Sequence, residues 1–382
     1  MKFSTNSKSL CEAISVVSKA QQAKNALPIL DCVLMQVKDG MLTVACSDTE
    51  LYTVATLPLA EYDGEFSIAI KSSDLIALKT IADQPVTVEC FPHEDGKDYS
   101  CTIYYLNGQF TSHAFNGMEF PKPCEPCGEG VQVKKIPLTH MLDGIRHTRF
   151  ATLQDSTLKP QMAGVYFDMQ PYGMVTVASD GNKLAKVWYK DVKTEEPFGF
   201  VMINKAVKLL SEIFTKTQGV DDIELVYSGR DFRITTGKYA LYGRLPEGAY
   251  PNYNYVIPKE YNSKAVISRA DMLGVLGRVG IFADDTNEVV LRFEKDNIVI
   301  KSVDKLFSRS AKENIACEYD ASPFEVALNY HFLSDILSTL AGEDMVVINI
   351  VDATHPLTIQ PAEADEQQDV LYLLMPLIPQ TE

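Results

Sequence analysis

The chain has 382 residues, of which 46% are hydrophobic and 23% are charged, a composition that is ordinary for a folded globular protein. At roughly 100–200 residues per domain, this length predicts two to four domains. The net charge of −16 argues against a protein that holds nucleic acid by neutralising phosphates over its whole surface. Nucleic-acid binding would require either a segregated basic surface or a topological grip.

The N-terminal residues contain no apolar segment that could serve as a signal peptide. No run reaches the roughly 18 apolar residues that span a membrane. We therefore expect a cytoplasmic protein that has no membrane partner.

Most of the cysteines lie inside apolar, periodic segments, where a free thiol behaves as a small hydrophobic side chain. We expect free thiols at Cys11, Cys32, Cys46, Cys90 and Cys101. Cys124 and Cys127 form a C-x-x-C pair in a stretch rich in Pro and Gly. A zinc site needs about four ligands and no second pair follows, so we interpret this stretch as a linker and predict no metal site.

One pattern occurs three times at a spacing of about 130 residues. An alternating strand, a turn and a second strand that ends in Asp occupy residues 33–48, 164–180 and 289–304. Apolar residues at helical spacing precede each hairpin, and a strand and a second apolar helical pattern follow it. The first helices carry Leu10, Ile14 and Val17; Met141, Leu142 and Ile145; and Met272, Leu276 and Val279. The second helices carry Leu75, Leu78 and Ile81; Val207, Leu210 and Phe214; and Leu333, Ile336, Leu337 and Leu340.

The repeats predict an α+β fold of three tandem copies of one domain, each with two helices and about eight short strands. Stretches rich in Pro, Gly and Asn separate the copies, because such residues stop both helices and strands. The predicted domains are residues 1–127, 128–257 and 258–382.

The sequence contains no enzyme signature. The six histidines form no H-E-x-x-H motif, and no Ser or Cys lies in a nucleophile elbow. Gly274, Gly277 and Gly280 fall inside a helical pattern, so they do not predict a phosphate loop. Asp180 and Gly181 are read as a turn rather than as a catalytic site. We predict no catalytic residue and no cofactor.

Basic residues recur on the predicted helices and their flanks in at least two of the copies, whereas acidic residues favour loops. A single Lys on a helix is usually only a solvated side chain, but the recurrence predicts a positive surface on a negative body. Phosphate contacts without base readout would let such a protein slide along duplex DNA. The predicted DNA-binding residues are Lys24, Lys71, Lys79, Arg146, Arg149, Lys205, Lys208 and Arg269.

Four motifs, in order, resemble a known family, the bacterial sliding clamp or beta subunit of DNA polymerase III, over essentially the whole chain. Residues 27–30 with the hairpin to residue 50 resemble the core of its first domain. Residues 178–185 (ASDGNKLA) resemble its T-D-G-H-R-L-A motif, and residues 248–258 resemble G-R-F-P-D-Y…V-L-P. Residues 372–377 (YLLMPL) resemble its Y-V-V-M-P-M ending.

The resemblance implies a ring of two three-domain subunits joined head to tail, with helices lining the hole and sheets outside. By position, Ile281 and Phe282 are the apolar anchors of the subunit contact; the alternative is that they belong to the ordinary core. Expected partners are double-stranded DNA without sequence specificity and a second copy of the chain. DNA polymerase, the clamp loader and repair proteins are expected to bind through short peptides.

The resemblance also implies a peptide-binding pocket between the second and third domains. Its expected lining is Met162, Ser179, Gly181, Asn182, Lys183, Leu184, Pro251, Tyr255, Val256, Thr354, Pro356, Leu373, Met375, Pro376 and Leu377. For Met375 and Leu377 the alternative is a strand that packs on the core. The usual His-Arg is Asn182-Lys183 here, and residues 378–382 extend past the usual end, so the peptide preference is open.

Two other functions are alternatives to a sliding clamp. A peptide-binding scaffold that does not encircle DNA would fit the net charge and the second helix of the third copy, which has no Lys or Arg. An enzyme that acts on nucleic acid would need clustered carboxylates for metal ions. Asp48, Asp180 and Asp304 lie in separate copies, so we expect them to be far apart.

Overall fold

The computed structural model describes residues 1–377 except 23, 24, 26, 94–97, 155, 156, 158, 215, 216 and 218. The chain forms two compact units. Unit 1 comprises Met1–Thr139 and Lys208–Leu245, and unit 2 comprises His140–Val207 and Pro246–Glu382.

The fold is α+β, with two large antiparallel sheets and few helices. The helices are α1 (Ser7–Val17), α2 (Leu138–Thr148), α3 (Asn204–Phe214), α4 (Arg269–Val279) and α5 (Tyr330–Thr339). The first ten strands are β1 (Lys2–Asn6), β2 (Cys32–Lys38), β3 (Met41–Ser47), β4 (Leu51–Pro58), β5 (Glu61–Asp63), β6 (Phe66–Lys71), β7 (Pro85–Pro92), β8 (Asp98–Tyr105), β9 (Gly108–Asn116) and β10 (Gln132–Pro137).

The next seven strands are β11 (Gly164–Gln170), β12 (Gly173–Ser179), β13 (Lys183–Tyr189), β14 (Phe198–Ile203), β15 (Asp222–Tyr227), β16 (Asp231–Thr236) and β17 (Tyr239–Arg244). The last eight are β18 (Ser263–Ser268), β19 (Glu288–Glu294), β20 (Asn297–Asp304), β21 (Arg309–Glu318), β22 (Phe324–Asn329), β23 (Met345–Ile350), β24 (Leu357–Pro361) and β25 (Gln368–Leu374).

Each unit contains one continuous sheet. In unit 1 the strand order is β10-β15-β16-β17-β4-β3-β2-β6-β9-β8-β7-β1-β5. In unit 2 it is β14-β11-β12-β13-β25-β24-β23-β18-β21-β20-β19-β22. Some strands, such as β16, alternate buried and partly buried side chains, whereas β12 has six consecutive buried residues.

The same two strand patterns occur three times within these sheets. The orders β6-β2-β3-β4, β14-β11-β12-β13 and β22-β19-β20-β21 are equivalent, and each contains one of the predicted hairpins. The orders β1-β7-β8-β9, β10-β15-β16-β17 and β18-β23-β24-β25 are equivalent in the same way. The three hairpins predicted from the sequence are therefore confirmed.

The Asp that ends each hairpin closes the turn that follows it. Asp48 Oδ1 accepts hydrogen bonds from the amides two and three residues later, at 3.0 and 2.7 Å. Asp180 Oδ1 accepts the equivalent pair, both at 2.9 Å. Asp304 Oδ1 accepts the bond from the third residue at 3.0 Å. A carboxylate that satisfies backbone amides in this way fixes the turn, which explains why Asp recurs at this place.

The predicted helices form, with one difference. Most of the predicted apolar residues are buried, whereas Leu142 and Ile81 are partly exposed. Helices α1, α4 and α5 begin at side chains that cap the first amides, namely Asn6, Ser268 and Asn329. The second helix of the first copy is a 3-10 helix, Asp74–Thr80, rather than an α-helix. Only seven residues form it, which favours the tighter turn. No helix in the described part of the chain is long and apolar enough to cross a membrane.

The prediction of free thiols was wrong for two cysteines. Cys90 and Cys101 form a disulfide between β7 and β8, where they are directly opposite each other. The antiparallel register places their Cα atoms 4.2 Å apart. Sequence spacing does not reveal this pairing, because the register of the two strands decides it. Cys11, Cys32 and Cys46 are free thiols, as predicted.

Candidate functional site

The β12–β13 hairpin supplies five of the predicted pocket residues at its turn and at the adjoining strand ends, and hydrogen bonds hold the backbone of the turn. Ser179 Oγ donates to the Lys183 carbonyl oxygen at 2.9 Å. Gly181 has a φ of +94°, a conformation that favours glycine. The Asn182 carbonyl oxygen accepts a hydrogen bond from the Met375 amide at 2.8 Å. The turn and the end of β25 therefore lie side by side.

Lys183 is 6% exposed, and its side chain is directed into the protein. Its ammonium group lies 2.7 Å from Asp180 Oδ2 and 4.0 Å from the centre of the Phe332 ring. A buried charge needs such partners, because burial without them is costly. The positive charge is thus neutralised internally, whereas Asn182 beside it is exposed.

Two of the predicted pocket residues are buried opposite each other on paired strands. Leu184 on β13 is opposite Leu373 on β25, and both are nearly fully buried. They belong to one cluster with Val177 and Tyr253. The Tyr253 hydroxyl donates to Asp168 Oδ2 at 2.8 Å, which anchors the segment that follows.

Three of the predicted residues expose apolar side chains to solvent in unit 2. Tyr255 is 87% exposed, Val256 is 51% exposed and Met375 is 37% exposed. Tyr255 ends the 3-10 helix Tyr253–Tyr255. Tyr253, at the start of this helix, packs in the buried cluster, whereas Tyr255 is exposed to solvent. Exposed apolar side chains that follow segments of a buried apolar cluster are suited to binding a short apolar segment.

An aromatic stack in the same cluster was not found by reading the sequence. The rings of Tyr166 and Tyr250 are stacked 4.7 Å apart at 4°, and both pack against the buried cluster. Burial raises the pKa of Tyr250, so its hydroxyl stays neutral. Pro251 follows this tyrosine directly and is exposed. The only signal in the sequence was the density of tyrosines at 250–255, which by itself does not indicate a stack.

Two further predicted residues lie in the loop before β24. Thr354 is exposed, and its amide and hydroxyl donate to Asp352 Oδ1, both at 2.8 Å. Pro356 immediately precedes Leu357, which is opposite Leu374 of β25. The loop is thus attached to β25, which carries Leu373 and is followed by Met375.

The remaining predicted pocket residues are Pro376, Leu377 and Met162. Pro376 is buried, and the Leu377 amide donates to the Ala327 carbonyl oxygen at 2.8 Å. Met162 is nearly buried and ends the 3-10 helix Pro160–Met162, which contacts β11 and β14.

A cavity of about 540 Å³ in unit 2 contains none of the predicted peptide-pocket residues. It is lined in part by Arg146 and His147 of α2 and by residues of β25. Next to Arg146 and His147 on α2, Asp143 Oδ1 accepts a hydrogen bond from Arg146 at 2.6 Å and Asp143 Oδ2 accepts one from Tyr189 at 2.8 Å. Burial alone would raise the pKa of Asp143, but the hydrogen bonds from His147, Arg146 and Tyr189 outweigh it and lower the pKa.

The predicted DNA-binding residues differ in their surroundings. Lys71, Lys79, Arg146, Arg149 and Lys208 are exposed, although Arg146 also pairs with Asp143. Lys205 is partly buried, and desolvation lowers its pKa. Lys24 lies outside the described residues.

Arg269 has a structural role that the sequence did not indicate. Its guanidinium donates to the carbonyl oxygens of Glu343 at 2.8 Å and Leu337 at 3.3 Å. These carbonyls lie at and just beyond the C-terminal end of α5, where the last carbonyls of a helix lack helical partners.

Ile281 and Phe282 follow α4 in the 3-10 helix Gly280–Phe282 and are 68% and 37% exposed. This helix contacts β20 and β21. The turn between those strands exposes two more apolar side chains, Leu306 at 82% and Phe307 at 67%. Isolated exposed apolar side chains are normal, but a group of this size commonly marks an interaction surface.

Comparisons with known proteins give one consistent result. Residues 1–123 match the family model of the DNA polymerase III beta subunit, N-terminal domain, and residues 254–377 match that of its C-terminal domain. The beta sliding clamp of Synechococcus elongatus is 26% identical over 385 residues, covering 99% of both chains.

Solved structures share the fold over the whole chain. The DNA polymerase III subunit beta from Pseudomonas aeruginosa has a TM-score of 0.89 at 20% identity, and the match covers 99% of this chain and 100% of that one. The beta subunit from Thermotoga maritima has a TM-score of 0.87 at 23% identity and 99% coverage of both chains. At these identities, the structural likeness establishes the fold alone.

Proposed function

This chain belongs to the bacterial sliding clamp family, the beta subunits of DNA polymerase III, and from that premise we propose that it encircles duplex DNA as a head-to-tail homodimer. Members of this family are processivity factors and catalyse no reaction. The proposed task is to tether the replicative polymerase and other partners to DNA in the cytoplasm.

The proposed subunit has three domains, residues 1–127, 128–257 and 258–382. The threefold recurrence of both strand patterns supports this division. Within the residues that the structure describes, each copy supplies eight strands, and β5 is an addition to the first copy. We number the strands within a copy from one to eight, so that β4, β13 and β21 are the fourth strands and β9, β17 and β25 the eighth.

The strand pairing supports a head-to-tail ring. The fourth strand of the first copy pairs with the eighth of the second, β4 with β17. The fourth strand of the second copy pairs with the eighth of the third, β13 with β25. Among the described residues, the fourth strand of the third copy (β21) and the eighth strand of the first copy (β9) have no partner of this kind. Pairing β21 of one molecule with β9 of another would continue the series, and two such junctions would close a ring.

The edges of these two strands are suited to that pairing. Over residues 309–316, β21 pairs with β20 alone in the described part of the chain. Over residues 108–113, β9 likewise pairs with β8 alone. An unpaired edge of this length is a template for another strand.

Exposed apolar side chains accompany both edges. Ile281, Leu306 and Phe307 lie on elements that contact or adjoin β21. On unit 1, Leu106 is 84% exposed in the turn before β9, and Ile76 is 57% exposed. We propose that these two sets become buried against each other in the dimer, and that Phe282 belongs to the same set as Ile281.

The proposed DNA contacts are made by exposed basic residues of the helical segments, chiefly Lys79, Arg149 and Lys208. They would bind phosphates without reading bases, which allows sliding. The third copy would contribute least, since α5 carries no Lys or Arg and Arg269 is occupied by carbonyl oxygens. Encirclement removes the need for tight binding, which reconciles the proposal with a net charge of −16.

The proposed peptide site is the surface of unit 2 at the β12–β13 turn and the end of β25. Its partners would be DNA polymerase, the clamp loader and repair proteins, each through a short peptide. Fluorescence anisotropy with a labelled peptide from the partner polymerase tests this site. Tyr255→Ala and Met375→Ala should each weaken binding, whereas Tyr172→Ala, which truncates another exposed tyrosine, should not. Equal effects of Tyr255→Ala and Tyr172→Ala would contradict the assignment.

Encirclement is tested by retention on circular and linearised DNA after loading by the cognate clamp loader and ATP. The protein should stay on closed circles and be lost from cut ends. Equal loss from both substrates, with a loader shown to be active on another clamp, would refute encirclement. The chain would then be better described as a peptide-binding scaffold.

A further inference from the structure

The two junctions between copies within the chain provide a register for the proposed junction between molecules. At these internal junctions Leu51 is opposite Gly243, and Lys183 is opposite Leu374. Leu51 and Lys183 are the first residues of β4 and β13, and β21 begins at Arg309. If the third copy follows the other two, the residue opposite Arg309 in a second molecule is the one in β9 that is equivalent to Gly243.

The three fourth strands are aligned by following the strand pairs across each copy. The path begins at the first residue of each fifth strand and crosses the second and third strands before it reaches the fourth. It leads from Phe66, Phe198 and Phe324 to Leu57, Tyr189 and Ile315. Leu51, Lys183 and Arg309 lie equally far before these end points, so they are equivalent.

The eighth strands are aligned in the same way. The first residue of each sixth strand pairs with the last residue of the first strand, and the path begins at the fourth residue of the sixth strand. It crosses the seventh strand and leads from Val88, Leu225 and Ile348 to Phe110, Leu241 and Tyr372. Two positions later, Ser112, Gly243 and Leu374 are therefore equivalent. The shared register of the internal junctions thus places Arg309 of one molecule opposite Ser112 of another.

The charged pair at the start of β13 recurs at the start of β21. Lys183 lies 2.7 Å from Asp180, and Arg309 lies 2.6 Å from Asp304. In the second copy this pair is covered, because the Phe332 ring of α5 lies 4.0 Å from the Lys183 ammonium group. The Lys183 side chain is 7% exposed, whereas the Arg309 side chain is 47% exposed. The surface at Arg309 is therefore the one that the second helix of another molecule's first copy would cover.

The residue of that helix equivalent to Phe332 is Asp74. Both residues lie three positions after the end of a fifth strand, β22 for Phe332 and β6 for Asp74. Asp74 is exposed, and its Oδ2 accepts a hydrogen bond from Ser112 Oγ at 2.6 Å. Ser112 is also the residue that the register places opposite Arg309. The helix position and the hydrogen bond to Ser112 thus bring the Asp74 carboxylate to the same place by two separate routes.

We propose that the Arg309 guanidinium of one molecule forms an ion pair with the Asp74 carboxylate of the other at each junction of the dimer. This pair rests on the proposed head-to-tail dimer, and it selects the partner. A guanidinium has five N–H donors, so Arg309 can keep its bond to Asp304 while it binds Asp74. A partner with a basic group in place of Asp74 would be repelled. The junction therefore favours a second copy of this chain.

Exchange of the two charges between molecules tests the pair. In a homodimer, Arg309→Glu places two acids together at both junctions, and Asp74→Arg places two bases together. Each variant should raise the dimer dissociation constant about tenfold or more, because both junctions lose an exposed ion pair and gain a like-charge contact. In an equimolar mixture, the heterodimer has one wild-type junction and one junction with the charges reversed. It should therefore form with an affinity close to that of the wild type.

Sedimentation velocity over a dilution series measures these affinities, and native mass spectrometry distinguishes the heterodimer from the homodimers by mass. Lys312→Glu is the matched control, because Lys312 is exposed on β21 and its side chain is on the opposite face of the strand from Arg309. A heterodimer of Lys312→Glu with Asp74→Arg keeps one like-charge junction and should bind more weakly than the Arg309→Glu heterodimer.

Neutral variants provide a second measurement, because the glutamate of Arg309→Glu is introduced beside Asp304 and circular dichroism must verify the fold. Arg309→Gln and Asp74→Asn each remove one charge of the pair without adding another. The effect of both substitutions together on the dissociation constant should be smaller than the product of the two separate effects. Independent effects would contradict a direct pair.

Two further results would overturn the ion pair while leaving the dimer intact. Charge-reversed variants that dimerise alone as tightly as the wild type would show that the two charges do not meet. Equal affinities of the Arg309→Glu and Lys312→Glu heterodimers would show that the attraction is not specific to Arg309. A wild-type chain that stays monomeric throughout the dilution series would instead refute the head-to-tail dimer together with the pair.

Discussion

Replacing Ile281 with serine removes an apolar side chain that is 68% exposed in the isolated chain and that we place in the dimer junction. Full burial of an isoleucine side chain contributes about 1.5–3 kcal/mol, so burial of this exposed fraction contributes about 1–2 kcal/mol per junction. A closed dimer has two junctions and would lose about 2–4 kcal/mol. This loss corresponds to a rise in the dissociation constant of about 30-fold to 1,000-fold.

Sedimentation velocity over a dilution series measures this change directly. Met118→Ser is the matched control, because Met118 is 69% exposed, apolar and also within a 3-10 helix, Gly117–Glu119. Neither substitution should unfold the protein, since both residues are on the surface, and circular dichroism verifies this. The Ile281→Ser dimer should dissociate at much higher concentration than the Met118→Ser dimer.

The reasoning is refuted if both variants dissociate at the same concentration as the wild type. In that case the apolar group at Ile281 serves another purpose. An Ile281→Ser protein that dimerises normally but is lost from closed circular DNA would separate dimer affinity from ring closure and would contradict the proposed junction.

Three further predictions concern charged groups. Asp180→Asn leaves the buried Lys183 ammonium without its carboxylate and should lower the free energy of unfolding in urea by about 3–5 kcal/mol. Adding Lys183→Met should recover most of this stability. A urea unfolding midpoint of Asp180→Asn equal to that of the wild type would contradict the buried pair. The lowered pKa of Asp143 stabilises the folded state above the ordinary carboxyl value of 3.8, and this stabilisation is lost as the pH falls toward the folded-state value. Asp143→Asn should therefore weaken the decrease of the unfolding free energy as the pH falls. Parallel curves of unfolding free energy against pH for the variant and the wild type would refute this prediction. Arg149→Gln should reduce the slope of the logarithm of the duplex-binding constant against the logarithm of salt concentration by about one. Arg292→Gln, on strand β19 where Arg292 pairs with Glu294, should leave this slope unchanged. Equal slopes for these two variants would contradict the proposed phosphate contact of Arg149.

The sequence by itself determined the local elements and their repetition. Alternating apolar residues predicted the three hairpins, and residues at helical spacing such as Met272 and Leu276 predicted helices that the structure confirms. These features depend on neighbours within a few positions, which a linear pattern records directly. The turn at Asp180 was also readable, because Asp and Gly favour it for local reasons.

Tertiary structure alone decided how distant segments meet. The pairing of β4 with β17 and of β13 with β25 joins strands far apart in sequence, and no local pattern specifies which edge meets which. The same applies to the Cys90–Cys101 disulfide, which follows from strand register, and to Arg269, which reaches the carbonyls at the end of α5. Lys183 is the clearest case, because a lysine in a turn is usually solvated, and only packing against Asp180 and Phe332 turns its charge inward.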